Sequence, residues 1–115
     1  MHEPDGMPRY LLIETRGPLE GGDWAFELGR QLKERQHDVT IYLLQDAVFT
    51  ARERFDEGER LRREAEKDGL NVLADRVSLR QRGLVGDRIA ADVRPSDMDE
   101  LVTLLMERSD KAIWH

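Results

Sequence analysis

Short apolar runs alternate with longer amphipathic stretches along most of this chain. Five of the runs are rich in apolar or β-branched side chains and are bounded by polar or glycine-containing turns. This pattern favours strands that are covered on both faces. The predicted strands are residues 10–14, 38–44, 71–74, 89–93 and 111–114.

Helical periodicity follows the first four of these runs, and it predicts helices over residues 24–35, 52–68, 76–82 and 97–107. Asp23 is the expected N-cap of the first helix. Gly58 is expected to interrupt the highly charged second helix, and Gly83 to close the third in the left-handed conformation. Residues 96–99 resemble a capping box for the fourth helix. Its predicted apolar face consists of Met98, Leu101, Val102, Leu105 and Met106.

Strands that alternate with helices predict a parallel sheet with helices on both faces. Every connection is longer than the dozen or so residues that a crossover between parallel strands needs. The expected architecture is therefore an α/β fold, a three-layer α/β/α sandwich with a five-stranded parallel sheet. With 115 residues in total, residues 10–115 are expected to form a single domain behind a flexible tail at residues 1–9.

Charge and hydropathy narrow the expected surroundings of the protein. The chain has 24 acidic and 18 basic residues and a net charge of −6, which disfavours nucleic acid and anionic membranes as partners. The longest apolar run, residues 41–44, is far shorter than a membrane span. The first six residues lack the basic and apolar regions of a secretion signal. We therefore expect a cytoplasmic protein.

The absence of cysteine excludes several kinds of chemistry. Disulfides, thiolate nucleophiles and thiolate-bound metals are impossible. The three histidines, His2, His37 and His115, have no partner at metal-ligand spacing and are expected to be solvated. No glycine-rich dinucleotide motif or P-loop is present. The sequence therefore predicts no catalytic residue, no metal and no cofactor.

The most distinctive segment follows the third predicted strand, at residues 75–84. Asp75 and Ser78 precede or begin a helix that also carries Arg76, Arg80 and Arg82. One interpretation is that Asp75 caps the helix or pairs with an arginine. The other is that these side chains form a small polar pocket for an anionic ligand or a partner segment, since ligands of parallel sheets bind at the carboxyl ends of the strands.

Five short stretches in this order, taken with the first strand, give the chain a family resemblance. They are residues 37–48 (HDVTIYLLQDAV), 69–72 (GLNV) leading into 78–84 (SLRQRGL), and the ending 96–102 (SDMDELV) through 111–113 (KAI). With the apolar first strand and its glycine-containing loop, they resemble the DsrE/DsrF-like (YchN-like) family of small sulfur-trafficking α/β proteins. The resemblance runs from about Arg9 to His115.

The resemblance implies a specific departure from sulfur chemistry. Catalytic members carry sulfur as a persulfide on a cysteine after the third strand, and the matching position here is Asp75. A carboxylate cannot pass sulfur by thiolate exchange. The resemblance therefore implies an accessory or binding subunit, assembled as a homotrimer or homohexamer and able to bind a cysteine-bearing sulfur carrier. Its expected binding residues are Thr15, Asp46, Asp75, Ser78 and Arg82.

Two aromatic residues are candidates for the subunit interface. Phe26 lies about 130° from the centre of the apolar stripe of the first helix, so it is expected on the outer face. There an aromatic side chain either folds back onto the neighbouring turn or contacts another subunit, and the thin core favours the subunit. Phe49, in the loop after the second strand, is the other candidate.

An alternative function uses carboxylates instead. Glu14, Asp46 and Asp75 all follow predicted strands and are expected to converge at one rim of the sheet. Clustered acids can bind a hard cation or raise one another's pKa for acid–base work. This alternative describes a small-anion or metal-binding module, or an enzyme.

Overall fold

Five strands alternate with four α-helices in the computed structural model, which describes residues 7–115. The strands are β1 (Tyr10–Glu14), β2 (Val39–Leu43), β3 (Asn71–Asp75), β4 (Arg94–Ser96) and β5 (Lys111–Trp114). The α-helices are α1 (Trp24–Glu34), α2 (Asp56–Asp68), α3 (Arg76–Gln81) and α4 (Met98–Thr103). Two 3₁₀ helices, Gln45–Ala51 and Gly86–Arg88, and a π-helical turn, Leu104–Arg108, complete the described elements.

All five strands are parallel and lie in the order β4-β3-β2-β1-β5. In the central register Leu12 lies beside Ile41 on one side and Ile113 on the other. The carboxyl ends of the strands therefore meet along one edge of the sheet, as the predicted topology requires. This confirms the three-layer α/β/α sandwich.

The two faces of the sheet are covered unequally. One face packs against α1, α2 and α3 in a large cluster that includes Leu12, Ile41, Phe26, Leu61 and Leu79. The other face packs mainly against α4 and the π turn, through a smaller cluster formed by Leu11, Ile13, Tyr42, Leu44, Leu73, Leu101 and Leu104. Strands buried on both faces explain why β1 and β2 are almost continuously apolar.

The fourth strand lies further along the chain than the sequence predicts. Residues 89–93 do not join the sheet, because Ile89 forms an isolated antiparallel bridge with Arg52. The strand is Arg94–Ser96 instead, and it contains Pro95. Proline has no N–H to donate and is tolerated here because β4 is an edge strand. The prediction of 89–93 was wrong because it relied on apolar content alone.

The second helix also differs from its prediction. It begins at Asp56, not at residue 52, and Gly58 lies within its first turn without interrupting it. A Cβ on Gly58 would lie only 2.6 Å from the carbonyl oxygen of Thr50. Glycine is therefore required there by a close backbone approach, not by a break in the helix.

Phe26 lies in the core and not on the outer face of α1. Its side chain is 5% exposed and belongs to the same cluster as Leu61 and Ala65 of α2. Helix α2 covers the side of α1 that the sequence assigned to solvent or to another subunit. The expectation that Phe26 forms a subunit interface is corrected accordingly, because its ring is already occupied within the chain.

The caps of two helices differ in detail from the sequence prediction. Asp23 precedes α1, but its side chain makes no capping hydrogen bond. In α4 the cap is Asp97, whose Oδ1 accepts from the N–H of Glu100 at 2.9 Å, one residue later than the predicted box. Gly83 has a φ of 71°, as predicted for the residue that closes α3.

The fourth helix buries only part of its predicted apolar face. Of the five predicted residues only Leu101 is buried, whereas Met98, Val102, Leu105 and Met106 are exposed, the last by 78%. The widening into a π turn after Thr103 shifts the phase of the helix, and Leu104 is buried where Leu105 was expected.

Two predictions concern residues that the structure does not describe. The expected tail at residues 1–9 lies partly before residue 7, and His2 lies wholly before it.

Between residues 7 and 115, no helix combines the length and apolar character needed to cross a membrane.

Candidate functional site

Asp75 lies where β3 ends and α3 begins. Its side chain is 4% exposed, and Oδ2 accepts hydrogen bonds from the backbone N–H of Ser78 at 2.9 Å and from Ser78 Oγ at 2.8 Å. This confirms the helix-capping role that the sequence suggested. The other oxygen, Oδ1, is buried and has no hydrogen-bond partner within residues 7–115.

Ser78 joins Asp75 to two further predicted site residues. Its hydroxyl accepts from the N–H of Gln45 at 2.9 Å, and its carbonyl oxygen accepts from Arg82 Nη1 at 3.2 Å. Arg82 Nε in turn donates to Asp46 Oδ1 at 3.0 Å. Asp46, Asp75, Ser78 and Arg82 therefore form one connected group, which we call the strand-end network. It runs from buried Asp75 to the exposed pair of Asp46 and Arg82.

Thr15, the fifth predicted site residue, belongs to a different group. Its hydroxyl donates to the carbonyl oxygen of His115 at 2.8 Å, at the end of β1. The loop that follows it does approach the strand-end network, because a Cβ on Gly17 would lie 3.7 Å from the carbonyl oxygen of Asp46. The two groups are thus neighbours along the carboxyl edge of the sheet without a shared side-chain hydrogen bond.

Glu14 and His115 form a pair that sequence reasoning missed. Glu14 is fully buried, and its carboxylate accepts from the backbone N–H groups of Thr15 at 3.1 Å and Arg16 at 3.0 Å. His115 Nδ1 lies 2.9 Å from Glu14 Oε1. The imidazole also stacks at a tilt on Trp24, with ring centroids 4.4 Å apart. The prediction that His115 is simply solvated was therefore wrong, since adjacency of β1 and β5 brings it onto a buried carboxylate.

The three strand-end carboxylates do not converge as the alternative function requires. Glu14 is held by His115 and two backbone N–H groups, Asp46 by Arg82, and Asp75 by Ser78. In the part of the chain that the structure describes, no group of three or more His, Cys, Asp or Glu side chains could hold a metal ion. Asp46 and Asp75 thus belong to the strand-end network, Glu14 belongs to a separate pair with His115, and each carboxylate has its own hydrogen-bond donors.

A second polar chain borders the strand-end network at β4. The Tyr42 hydroxyl can donate to Ser96 Oγ, at 2.9 Å, or to the carbonyl oxygen of Asp97, at 3.0 Å. Ser96 Oγ in turn donates to the carboxylate of Glu100 at 2.6 Å. Burial raises the pKa of the Tyr42 hydroxyl, and the negative charge of Asp75 adds to that rise. Hydrogen bonds from Arg94 and then Ser96 hold the pKa of Glu100 below its usual range. This chain keeps a protonated phenol beside Asp75.

Comparisons with known proteins bear on this architecture. The DsrE/DsrF-like family matches residues 9–114 of the chain. The chain belongs to the DsrE/DsrF-like family. The ychN protein of E. coli has a similar structure, with a TM-score of 0.83, over 95% of this chain and 100% of that chain. Sequence identity is 15%, so this likeness shows the fold alone. No curated protein matches the chain in sequence.

This DsrE/DsrF-like protein contains no cysteine anywhere in its 115 residues. It therefore has no thiolate that could accept sulfur as a persulfide. At the end of β3 it carries a hydrogen-bonded acid, Asp75, whose second oxygen is buried and receives no hydrogen bond from residues 7–115. Unsatisfied buried polar groups are uncommon in native proteins, so this oxygen marks the end of β3 as a candidate site.

Proposed function

We propose that this DsrE/DsrF-like protein is a non-catalytic binding subunit related to the sulfur-relay proteins of its family. The observation that carries the proposal is Asp75, an acid at the end of β3 in a chain without cysteine. A carboxylate can neither form nor pass a persulfide by thiolate exchange. The role left to such a subunit is to bind a sulfur carrier or to complete an assembly.

The contact surface that we propose for the carrier is the exposed rim of the strand-end network. Asp46 has a side chain that is 63% exposed, and it presents a carboxylate next to the guanidinium of Arg82. Behind them, Ser78 and Asp75 fix the rim through hydrogen bonds to the start of α3. A rim that is anchored in this way offers a preorganised pair of opposite charges, which favours orientation of a partner. Thr15, which follows β1, and Phe49, in the first 3₁₀ helix after β2, belong to the segments on the same edge of the sheet.

Support for assembly with other subunits comes from exposed apolar side chains. Met98, Val102 and Met106 project from α4 and the π turn, and Trp114 is exposed on the edge strand β5. Apolar side chains gathered on one element of a monomer mark interaction surfaces. We propose that a second copy of this chain covers α4, in a homotrimer or homohexamer.

Binding to a carrier tests this proposal. Each cysteine-bearing DsrE/DsrF-like protein of the same organism is titrated into the purified full chain by calorimetry, and the mass of the free chain is measured by light scattering. We expect saturable binding to one carrier, an oligomeric free chain, and an affinity about tenfold lower for Asp46→Ala, because one charge-assisted contact is lost.

Asp87→Ala is the matched control, because it removes an equally exposed carboxylate outside the strand-end network. Its affinity for the carrier should equal that of the unmodified chain. A monomeric chain that binds none of the carriers would overturn the proposal. Equal weakening by Asp46→Ala and Asp87→Ala would overturn the assigned contact surface.

A further inference from the structure

Four arginines line a single cleft on the outer side of the strand-end network. Arg52 and Arg54 follow the first 3₁₀ helix, while Arg82 and Arg88 come from the segment after α3. We call this the arginine cleft. Its volume is about 790 Å³, within the range of small-molecule sites. Phe49 and Leu84 supply apolar wall, and Glu53 and Asp87 are the acids that line it.

The two walls of the arginine cleft are joined by backbone hydrogen bonds. Arg52 and Ile89 form an antiparallel bridge, and the N–H of Glu53 donates to the carbonyl oxygen of Arg88 at 2.8 Å. The N–H of Ala90 donates to the carbonyl oxygen of Ala51, also at 2.8 Å. These bonds hold Arg52 and Arg88 on adjacent, fixed backbones. A ligand would therefore meet a frame that is already formed, which lowers the entropic cost of binding.

The arginines of this cleft are poorly neutralised. Elsewhere in the protein, Arg30 and Arg60 each pair with two glutamates of their own helix. Within residues 7–115, by contrast, no carboxylate forms a salt bridge with Arg52, Arg54 or Arg88.

The two acids that line the arginine cleft, Glu53 and Asp87, form no salt bridge with its arginines within residues 7–115. Glu53 Oε1 accepts a hydrogen bond from the backbone N–H of Arg54 and not from a guanidinium group. Among the described residues, Asp46 pairs with Arg82 alone and does not neutralise the charge of Arg52, Arg54 or Arg88. The chain as a whole has a net charge of −6, whereas the four arginines of this cleft outnumber the two acids that line it, Glu53 and Asp87.

Arg54 adopts a backbone conformation that is costly for its side chain. Its φ is 61°, in the left-handed region that favours glycine. Strain of this kind at a non-glycine residue persists where the surrounding structure or a function requires it. Here it places an arginine, and not a glycine, at the lip of the arginine cleft.

An apolar hollow adjoins the arginine cleft and shares two of its residues. Phe49 and Arg52 line both spaces. Pro18, Leu19, Glu20 and Phe55 complete the hollow, whose volume is about 290 Å³. A ligand can therefore place an anionic group among the arginines and a ring against the phenylalanines. Aromatic side chains stack on heteroaromatic bases by about 1–3 kcal/mol per base in other proteins.

We propose that the arginine cleft binds a nucleoside diphosphate or triphosphate. The guanidinium fork matches the oxygens of phosphate in a bidentate manner. Four arginines around one space suit a chain of phosphates better than one phosphate, and Phe49 with Phe55 receives the base. Because this sequence has no glycine-rich phosphate loop, side chains here take the place of a backbone cradle. The cleft shares Arg82 with the proposed carrier surface, but Arg52, Arg54 and Arg88 lie outside the strand-end network, so nucleotide binding can be tested without the carrier.

Calorimetry on the full chain tests this assignment, with ATP, inorganic pyrophosphate, inorganic phosphate and a polyglutamate peptide as separate probes at low salt. We expect saturable binding of ATP and pyrophosphate, and weaker binding of phosphate. The double variant Arg52→Ala/Arg88→Ala should lose at least about tenfold in affinity for ATP, since two charge-assisted contacts are removed. Arg76→Ala/Arg80→Ala, which removes two exposed arginines of α3 outside the cleft, is the matched control and should bind as the unmodified chain does.

Two further variants separate the parts of the proposed site. Phe49→Leu keeps apolar bulk but removes the ring, so it should weaken ATP and leave pyrophosphate unchanged. Arg52→Lys/Arg88→Lys keeps the charge and should still weaken both, because lysine cannot form the bidentate contact. The proposal would be overturned if neither ATP nor pyrophosphate bound saturably at ligand concentrations up to about 1 mM. Equal losses in the cleft and control variants, or preferential binding of polyglutamate, would overturn it as well.

Discussion

Replacing Arg62 by alanine is expected to lower the free energy of unfolding by about 3 kcal/mol. Arg62 lies in α2 with a side chain that is 6% exposed, and its Nη1 donates to the carbonyl oxygen of Thr50 at 2.6 Å. Its Nε donates to Asp92 Oδ1 at 3.1 Å. Alanine would leave the Thr50 carbonyl without this donor and open a cavity between α2 and the first 3₁₀ helix. Chemical denaturation followed by circular dichroism measures the change.

The neighbouring residue provides a matched control for this prediction. Arg63 pairs with Glu59 at 3.1 Å, but its side chain is 75% exposed. Arg63→Ala should therefore change the unfolding free energy by less than about 0.5 kcal/mol. If the two variants unfolded at the same denaturant concentration, the hydrogen bonds of Arg62 to Thr50 and Asp92 would not contribute measurably to stability.

Replacing Glu14 by alanine is expected to cost a similar amount, about 3 kcal/mol. Glu14 is fully buried, and its carboxylate is the acceptor for the backbone N–H of Arg16 and for His115. Removing it leaves these donors unpaired and breaks the side-chain link between the ends of β1 and β5, while the backbone hydrogen bonds between the two strands remain. The imidazole should also lose its fixed stacking on Trp24, so a change in tryptophan fluorescence should accompany the loss of stability.

Asp46→Ala is the control for Glu14→Ala, because it also removes one negative charge from the carboxyl edge of the sheet. Asp46 is exposed, and its partner Arg82 keeps its hydrogen bond to the carbonyl oxygen of Ser78. The expected cost is at most about 1 kcal/mol. Equal destabilisation by the two variants would show that charge at this edge, and not the buried Glu14–His115 pair, determines stability.

The fold could be predicted from the sequence because each central strand records its environment locally. Leu11, Leu12 and Ile13 are apolar without interruption since both faces of β1 are covered. The edge strand β4 does not carry that signal. It has three residues, one of them proline, and it is defined by pairing with β3 and not by its own composition. Local patterns therefore predicted the centre of the sheet and missed one edge.

Phe26 shows a second limit of local patterns. Helical periodicity gives the angle of a side chain around its own helix, but it does not say what lies on each side. Phe26 is directed away from the centre of the apolar stripe and is nevertheless buried, because α2 packs there. The same limit applied to α4, where a regular apolar stripe was predicted and four of its five residues are exposed.

The candidate site could be predicted only where its contacts are close in sequence or follow from the sheet edge. The capping bond between Asp75 and Ser78 spans three residues and could be inferred from spacing. The bond between Asp46 and Arg82 joins the segments that follow the neighbouring strands β2 and β3, so the sheet topology brought them together. Glu14 and His115 are 101 residues apart in the sequence. The arginine cleft depends on an isolated antiparallel bridge between Arg52 and Ile89. Neither leaves a periodic or spaced signal.

Covalent uptake of sulfur is the measurement that tests the proposed binding role most directly. The purified chain is incubated with a persulfide donor whose transferable sulfur is radiolabelled, unfolded without reductant, and examined for label and for added mass. A cysteine-bearing DsrE/DsrF-like protein serves as the positive control. We predict that the control becomes labelled and this chain does not, since no thiolate is available to receive the sulfur. Label that survives unfolding, in an amount comparable to the protein, would contradict the account.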